Sequence, residues 1–201
     1  MDLQFDAEVS PGLRDQVLGD FRSIELISGE RASSLHQEIF GPVSGSTYLR
    51  WFSDRVSYFG LSDCGSPSSA VACVDPQVKR KIWVTKNYTE INHPQIARVM
   101  TLFHEARHTE DQNGNWPHAL CSIFFGEKSI WTGQSLRLHA ACDRTPYGSY
   151  ASAAVMLHNI SKFCTECSSK LRQDADLYSR DQAKRVSRRK ARLRIRDDFQ
   201  E

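Results

Sequence analysis

Apolar positions recur at helical spacing in the first forty residues. Val17, Phe21, Ile24 and Ile27 share one face of a pattern that runs from Arg14 to Phe40. Gly29 supplies a stop within it, and Ser33 to Ile39 reads as a second short helical turn. Breakers then cluster at Gly41, Pro42 and Gly45, which predicts a loop. Tyr48 to Ser57 suits either helix or strand, whereas Ser57 to Leu61 is short and aromatic and predicts a strand. Ser62 to Ala70 is rich in Ser, Gly and Pro and reads as loop. The clearest strand is Lys81 to Tyr88, where Ile82, Trp83 and Val84 are strong β formers bounded by charge.

The clearest helix follows it. Asn92 can cap and Pro94 is tolerated in a first turn; Ile96, Val99, Met100 and Phe103 then form an apolar stripe. Asn113-Gly114-Asn115 favours positive φ and places the end of this helix near Gln112. Ile123 to Ile130 predicts a short strand or loop, Pro146-Tyr147-Gly148 a turn, and Ala151 to Lys162 a helix of small and apolar residues. From Lys170 onward the chain is polar and helix-forming. The pattern as a whole is α+β: a small mixed sheet, several helices, and a charged helical C-terminal tail.

Charge sharpens the picture of that tail. Lys184 to Arg196 holds eight basic residues and no acid; removing those eight from the net charge of +2 leaves −6 on the rest. The run carries few aromatics and no nucleic-acid motif, so a solvated helix is the expectation, with no strong nucleic-acid signal beyond it. This divides the chain into a domain over 1–168 and a basic tail over 169–201. No apolar run is long enough to span a membrane, and Met1 to Ser10 lacks the basic-then-apolar pattern of a signal peptide. Six cysteines form an even set, which favours an oxidising compartment, secreted or periplasmic. Their spacing permits a tidy scheme of Cys64–Cys73, Cys121–Cys142 and Cys164–Cys167, one of about fifteen pairings. Cys164-Thr165-Glu166-Cys167 has no second such pair to complete a four-cysteine metal site.

The helix from Asn92 carries the chemistry, in His104-Glu105-Ala106-Arg107-His108. A spacing of four puts His104 and His108 about 40° apart on one helix face and about one turn apart along the axis. Two imidazoles so placed can bind one zinc ion. Glu105 projects roughly 100° away from His104, where such a glutamate serves as general base rather than ligand.

This stretch resembles the zincin superfamily of metallopeptidases over Ile96 to Asp111, with the strand at Lys81 to Tyr88 before it. The resemblance implies a zincin-like fold, a zinc cofactor, hydrolysis of a protein or peptide substrate by metal-activated water, and Glu105 as catalytic base. It also implies that the strand before the helix binds extended substrate by strand addition.

A third ligand must come from elsewhere. The helix runs about 9 Å past His108 before Gly114, and four extended residues return up to about 13 Å, so His118 can reach the metal and is the first choice. Asp143 is the alternative: Asp143-Arg144-Thr145-Pro146-Tyr147-Gly148 is similar to the Asp-x-x-Tyr-Gly stretch of the aspzincins (deuterolysin-like peptidases), with one extra residue before the tyrosine. That similarity also implies Tyr147 as a catalytic tyrosine assisting at the oxyanion, with Tyr150 close behind. A Cys121–Cys142 bridge would bring His118 and Asp143 together, making Asp143 a ligand or an acceptor orienting a ligand histidine. Glu127 and Glu166 are the glutamate options, and Asp111 and His139 more distant ones. Arg107 can bind a carboxylate of the protein or of substrate.

The leading expectation is therefore a zinc metallopeptidase with His104, His108 and His118 as ligands. The alternatives are a zinc amidase acting on a non-protein or cell-wall amide, and a non-catalytic zincin-fold binding module.

Overall fold

A computed structural model describes residues 2–65, 70–90 and 93–201. Its larger sheet is mixed. Strands β1 (Gln4–Phe5), β2 (Tyr58–Leu61) and β4 (Lys81–Val84) run parallel, and β3 (Ala72–Cys73) pairs antiparallel with β4, giving the order β1-β2-β4-β3. β4 is therefore an interior strand, and among the described residues the edges are β1 and β3. Strand addition needs a free edge, so it cannot run along the strand at Lys81 to Tyr88 as the resemblance implied. That strand is also shorter than expected, because Lys86–Glu90 turns into a short helix, α4.

Helix α1 (Pro11–Glu25) starts where Ser10 accepts a hydrogen bond from Leu13 N and Pro11 occupies the first turn. Its stripe of Leu13, Val17, Phe21 and Ile24 is buried. Helices α2 (Ser34–Ile39) and α3 (Gly45–Ser53) follow, so the ambiguous stretch after Tyr48 resolves as helix. Tyr48, Trp51 and Phe52 of α3 join Phe21, Phe40 and Phe103 in an aromatic cluster.

The motif helix α5 (Gln95–His108) lies at the centre, packed against α1, β3, β4 and two later helices, α6 (Ser149–Phe163) and α7 (Ser169–Lys184). It is buried on almost every face rather than along one stripe. Asp20 of α1 locks it in place, taking two hydrogen bonds from Arg98 at 2.7 and 2.9 Å and one from Tyr88 Oη at 2.8 Å. Asn92 lies outside the described residues; the N-cap position is Pro94.

α5 ends at His108, four residues before the expected stop. Asn115 Nδ2 caps the His108 carbonyl at 3.0 Å, and Thr109 Oγ1 donates to Ala106 O, so the last turn finds its partners early. Positive φ does occur where the Asn-Gly signal predicted it, at Gly114 and Asn115, and continues to Trp116.

The segment after residue 168 is helical as expected but not solvated. α7 buries Ala175, Tyr178, Ser179 and Gln182, a spacing of i, i+3, i+4, i+7 that lays one face on α6. The small residues Ala151, Ala153 and Ala154 of α6 permit this close approach, and Ser179 Oγ donates to Ala154 O at 2.8 Å. Helix α8 (Arg189–Gln200) buries Ala191, Ile195 and Asp198, and Asp198 accepts from Ser33 Oγ and Leu35 N at the start of α2. Most of the basic run points outward, but Arg185 is buried. A charge count sees the run; it does not see the apolar positions interleaved at helical spacing.

The architecture is α+β, with eight α-helices among the described residues. All three disulfides of the scheme form: Cys64–Cys73, Cys121–Cys142 and Cys164–Cys167. They are compatible with an extracellular location. No helix of the described residues is long and apolar enough to cross a membrane.

Candidate metal centre

Three imidazoles converge beside α5. His104 Nε2 lies 3.3 Å from His108 Nε2 and 3.1 Å from His118 Nε2, and the His108–His118 pair stands 3.0 Å apart. His104 and His108 come from adjacent turns of α5. His118 arrives by the return that follows the Gly114–Trp116 turn, one residue before a small hairpin of β5 (Ala119–Leu120) and β6 (Ala140–Cys142).

That hairpin explains why His118 and Asp143 meet. Ala119 pairs with Cys142, and the Cys121–Cys142 disulfide pins the two strands. His118 and Asp143 flank this register on its two sides, and His118 Nδ1 sits 3.2 Å from Asp143 Oδ1. Asp143 Oδ2 accepts from Ala151 N at 3.0 Å. Asp143 thus stands behind His118 rather than among the three nitrogens. Gly148 is required by this packing, because a Cβ there would lie 2.4 Å from the Asp143 carboxyl.

Hydrogen-bond partners fix the tautomers of two of the rings. A carbonyl or carboxylate oxygen can only accept, so His108 Nδ1 donates to Asn115 O at 2.9 Å and His118 Nδ1 donates to Asp143. In an imidazole whose single N–H sits on Nδ1, Nε2 offers its lone pair, and the two Nε2 atoms stand 3.0 Å apart. Burial disfavours the charged form of His104 and of His108. It lowers His108 to about 4 and His104 well below the ordinary range, with the neighbouring histidines adding to the effect. Ser149 Oγ lies 2.9 Å from His108 Nε2, where its hydroxyl can donate to that lone pair.

A tetrahedral ion bonded at 2.0–2.1 Å separates its ligand nitrogens by about 3.3–3.4 Å. The observed triangle of 3.0–3.3 Å is close to that. The cluster of His104, His108 and His118 could hold a metal ion, and the acceptors on Nδ1 of His108 and His118 are the kind that fix a ligand's tautomer.

The triad opens on a cleft of about 640 Å³, lined also by Glu105, Tyr150, Trp131, Arg185 and the edge strand around Ala72. Glu105 is buried, and desolvation raises its carboxyl to about 8. The Tyr150 ring lies 4.4 Å from the His104 ring and 4.5 Å from that of His118.

Other expected residues fall elsewhere. The Tyr147 hydroxyl donates to Glu38 at 2.7 Å, away from the cleft, and Tyr150 is the tyrosine beside the histidines. The α6 N-terminus puts these two tyrosines three positions apart on a turn that separates their directions. Asp111 is exposed and pairs with Lys79. Glu127 pairs with Lys184, and Glu166 is exposed. His139 is exposed at the cleft rim. Arg107 binds a carboxylate of the protein, Glu110, at 2.7 Å, and donates to Tyr147 O. Ser149 and Arg185 carried no motif signal; Arg185 was hidden within the basic run. No protein-family model, curated protein or solved structure matches the chain.

Proposed function

We propose that this chain is a zinc-dependent metallopeptidase of zincin type, hydrolysing peptide bonds in the cleft beside α5. One observation carries the reading: the Nε2 atoms of three histidines converge within 3.0–3.3 Å of one another in a cleft that also holds the buried Glu105. His104, His108 and His118 hold the zinc, an all-nitrogen set that the ion favours. Zinc supplies Lewis acidity toward the scissile carbonyl and makes water acidic enough to attack at neutral pH.

The protein's own groups do the rest. Glu105 accepts a proton from the attacking water and returns it to the amine nitrogen as the C–N bond breaks. Burial raises its carboxyl to about 8, which makes the ionised form a stronger base for taking the proton and leaves the protonated form able to return it. Asp143 and Asn115 O hold His118 and His108 in the tautomer that offers Nε2. β3 borders the cleft through Val71 to Val74 and is an edge of the sheet, so an extended peptide can pair along it.

The test is elemental analysis of the purified protein and its Glu105→Gln variant, followed by assay on a peptide library. The expected result is one zinc per chain in both, with hydrolysis only in wild type. Zinc with peptide binding but no hydrolysis in wild type would make the fold a binding module. Absence of zinc even after metal is added back would overturn the proposal.

A further inference from the structure

Arg185 is the least explained charge in the molecule. It is only 5 % exposed and lines the cleft. Its Nε is buried and has no hydrogen-bond partner among the described residues; there its only ion-pair contact, Asp181 Oδ2, stands at 3.5 Å from Nη2, and the guanidinium otherwise meets the Tyr150 side chain. A guanidinium carries five N–H donors and no acceptor, so inside the protein it calls for acceptors. A guanidinium left incomplete in this way is destabilising until an anion completes it.

The surroundings point to where that anion comes from. The Asp143 carboxylate is committed to His118 and Ala151 N. Among the described residues Glu105 is the one carboxylate lining the cleft, so a cleft holding a dication and Arg185 carries excess positive charge. Arg185 Cζ sits 4.6 Å from the Tyr150 ring centroid, and that ring is 4.4 Å from the His104 ring. These two distances place Cζ no further than their sum, about 9 Å, from the first metal-binding ring. An extended peptide covers that in two or three residues at about 3.3–3.6 Å each.

We infer that Arg185 is a specificity residue that binds a carboxylate of the substrate one or two residues from the scissile bond. This rests on the peptidase reading for what is cleaved, but not for what is bound. The carboxylate is either the C-terminus of the peptide or an acidic side chain. The planar guanidinium suits either, since it presents paired donors to both oxygens. Stacking on Tyr150 holds the fork in place beside the histidines.

The test is calorimetric binding to the full-length Glu105→Gln protein, which prevents turnover, both loaded with zinc and after chelation. The probes are an N-acetyl dipeptide with neutral side chains as its free acid and as its C-terminal amide, and C-terminal amides carrying Glu or Gln. The expected result is about tenfold or tighter binding of one carboxylate form over its neutral counterpart. A preference confined to the free acid names the C-terminus as the source; one confined to Glu over Gln names the side chain. The preference survives chelation, falls by about tenfold in Arg185→Gln and is partly retained in Arg185→Lys. Should Arg185→Gln lose its cooperative fold, Arg185→Lys carries the comparison, weakening the carboxylate form and leaving the amide unchanged. Equal affinities in the parent, a preference untouched by both variants, or one abolished by chelation would each overturn the inference. Failure of the peptidase reading looks different: carboxylate preference persists while the Glu105-containing protein hydrolyses nothing.

Discussion

Replacing Asp143 by Asn separates a ligand from a positioning residue at this centre. In the structure the carboxylate accepts from two donors, His118 Nδ1–H through Oδ1 and Ala151 N–H through Oδ2. Asparagine offers one carbonyl oxygen, so one of those donors must face an NH2 group. The side chain cannot retreat, because Gly148 packs directly against the carboxyl. Losing one charge-assisted hydrogen bond costs about 1.5–3 kcal/mol. If that cost falls on the orientation of His118, zinc affinity drops by about 10–100-fold, the range known for acceptors behind metal-bound histidines. His118→Ala removes a ligand outright and weakens binding far more. The assay is competition for zinc against a chromophoric chelator at fixed pH, with circular dichroism confirming the fold of each variant. Wild-type affinity in Asp143→Asn would refute the positioning role. A loss equal to that of His118→Ala would show that Asp143 is itself a ligand.

Three further outcomes follow from the same geometry. Gly148→Ala places a Cβ 2.4 Å from the Asp143 carboxyl and should lower zinc affinity in the same assay, although it touches no ligand; an unchanged affinity would show the carboxylate free to move. Asp20→Ala leaves Arg98 and Tyr88 without their shared acceptor and should destabilise the fold by about 3–5 kcal/mol in urea denaturation, whereas less than about 1 kcal/mol would mean the pair is solvated. His36 is fully buried, close to the Gly41 carbonyl and the Tyr48 hydroxyl, and burial lowers it from 6.5 to about 4. The unfolded chain therefore takes up a proton that the folded chain refuses. The resulting stability is fully present above pH 6.5 and is lost as pH falls through 4, about 3 kcal/mol in all. Denaturation of wild type and His36→Gln between pH 7.5 and 4 should converge toward acid; parallel curves would exclude His36 as the source.

Local signals in the chain settled a good deal. The spacing of His104 and His108 follows from helical geometry alone, and the Ile96–Phe103 stripe made that helix legible. The spacing of the cysteines permitted the three disulfides without choosing them from the possible pairings, and the breakers around Gly114 marked the turn that returns His118. These are consequences of backbone geometry over a few residues, which neighbouring side chains largely determine. Contacts between distant segments decided the remainder. Whether His118 or Asp143 faces the other two histidines depends on the register of β5 with β6, which pins both residues and orders one behind the other. Tyr147 and Tyr150 are equivalent by composition, and only the start of α6 turns one toward Glu38 and the other toward the cleft. β4 lost its edge because residues far from any strand signal, Ala72 and Cys73, pair with it. In the basic run, Arg185 was indistinguishable from its neighbours until α7 packed on α6 and buried it against Tyr150. Charge and periodicity are read along one chain; desolvation and enclosure depend on what the rest of the chain brings near.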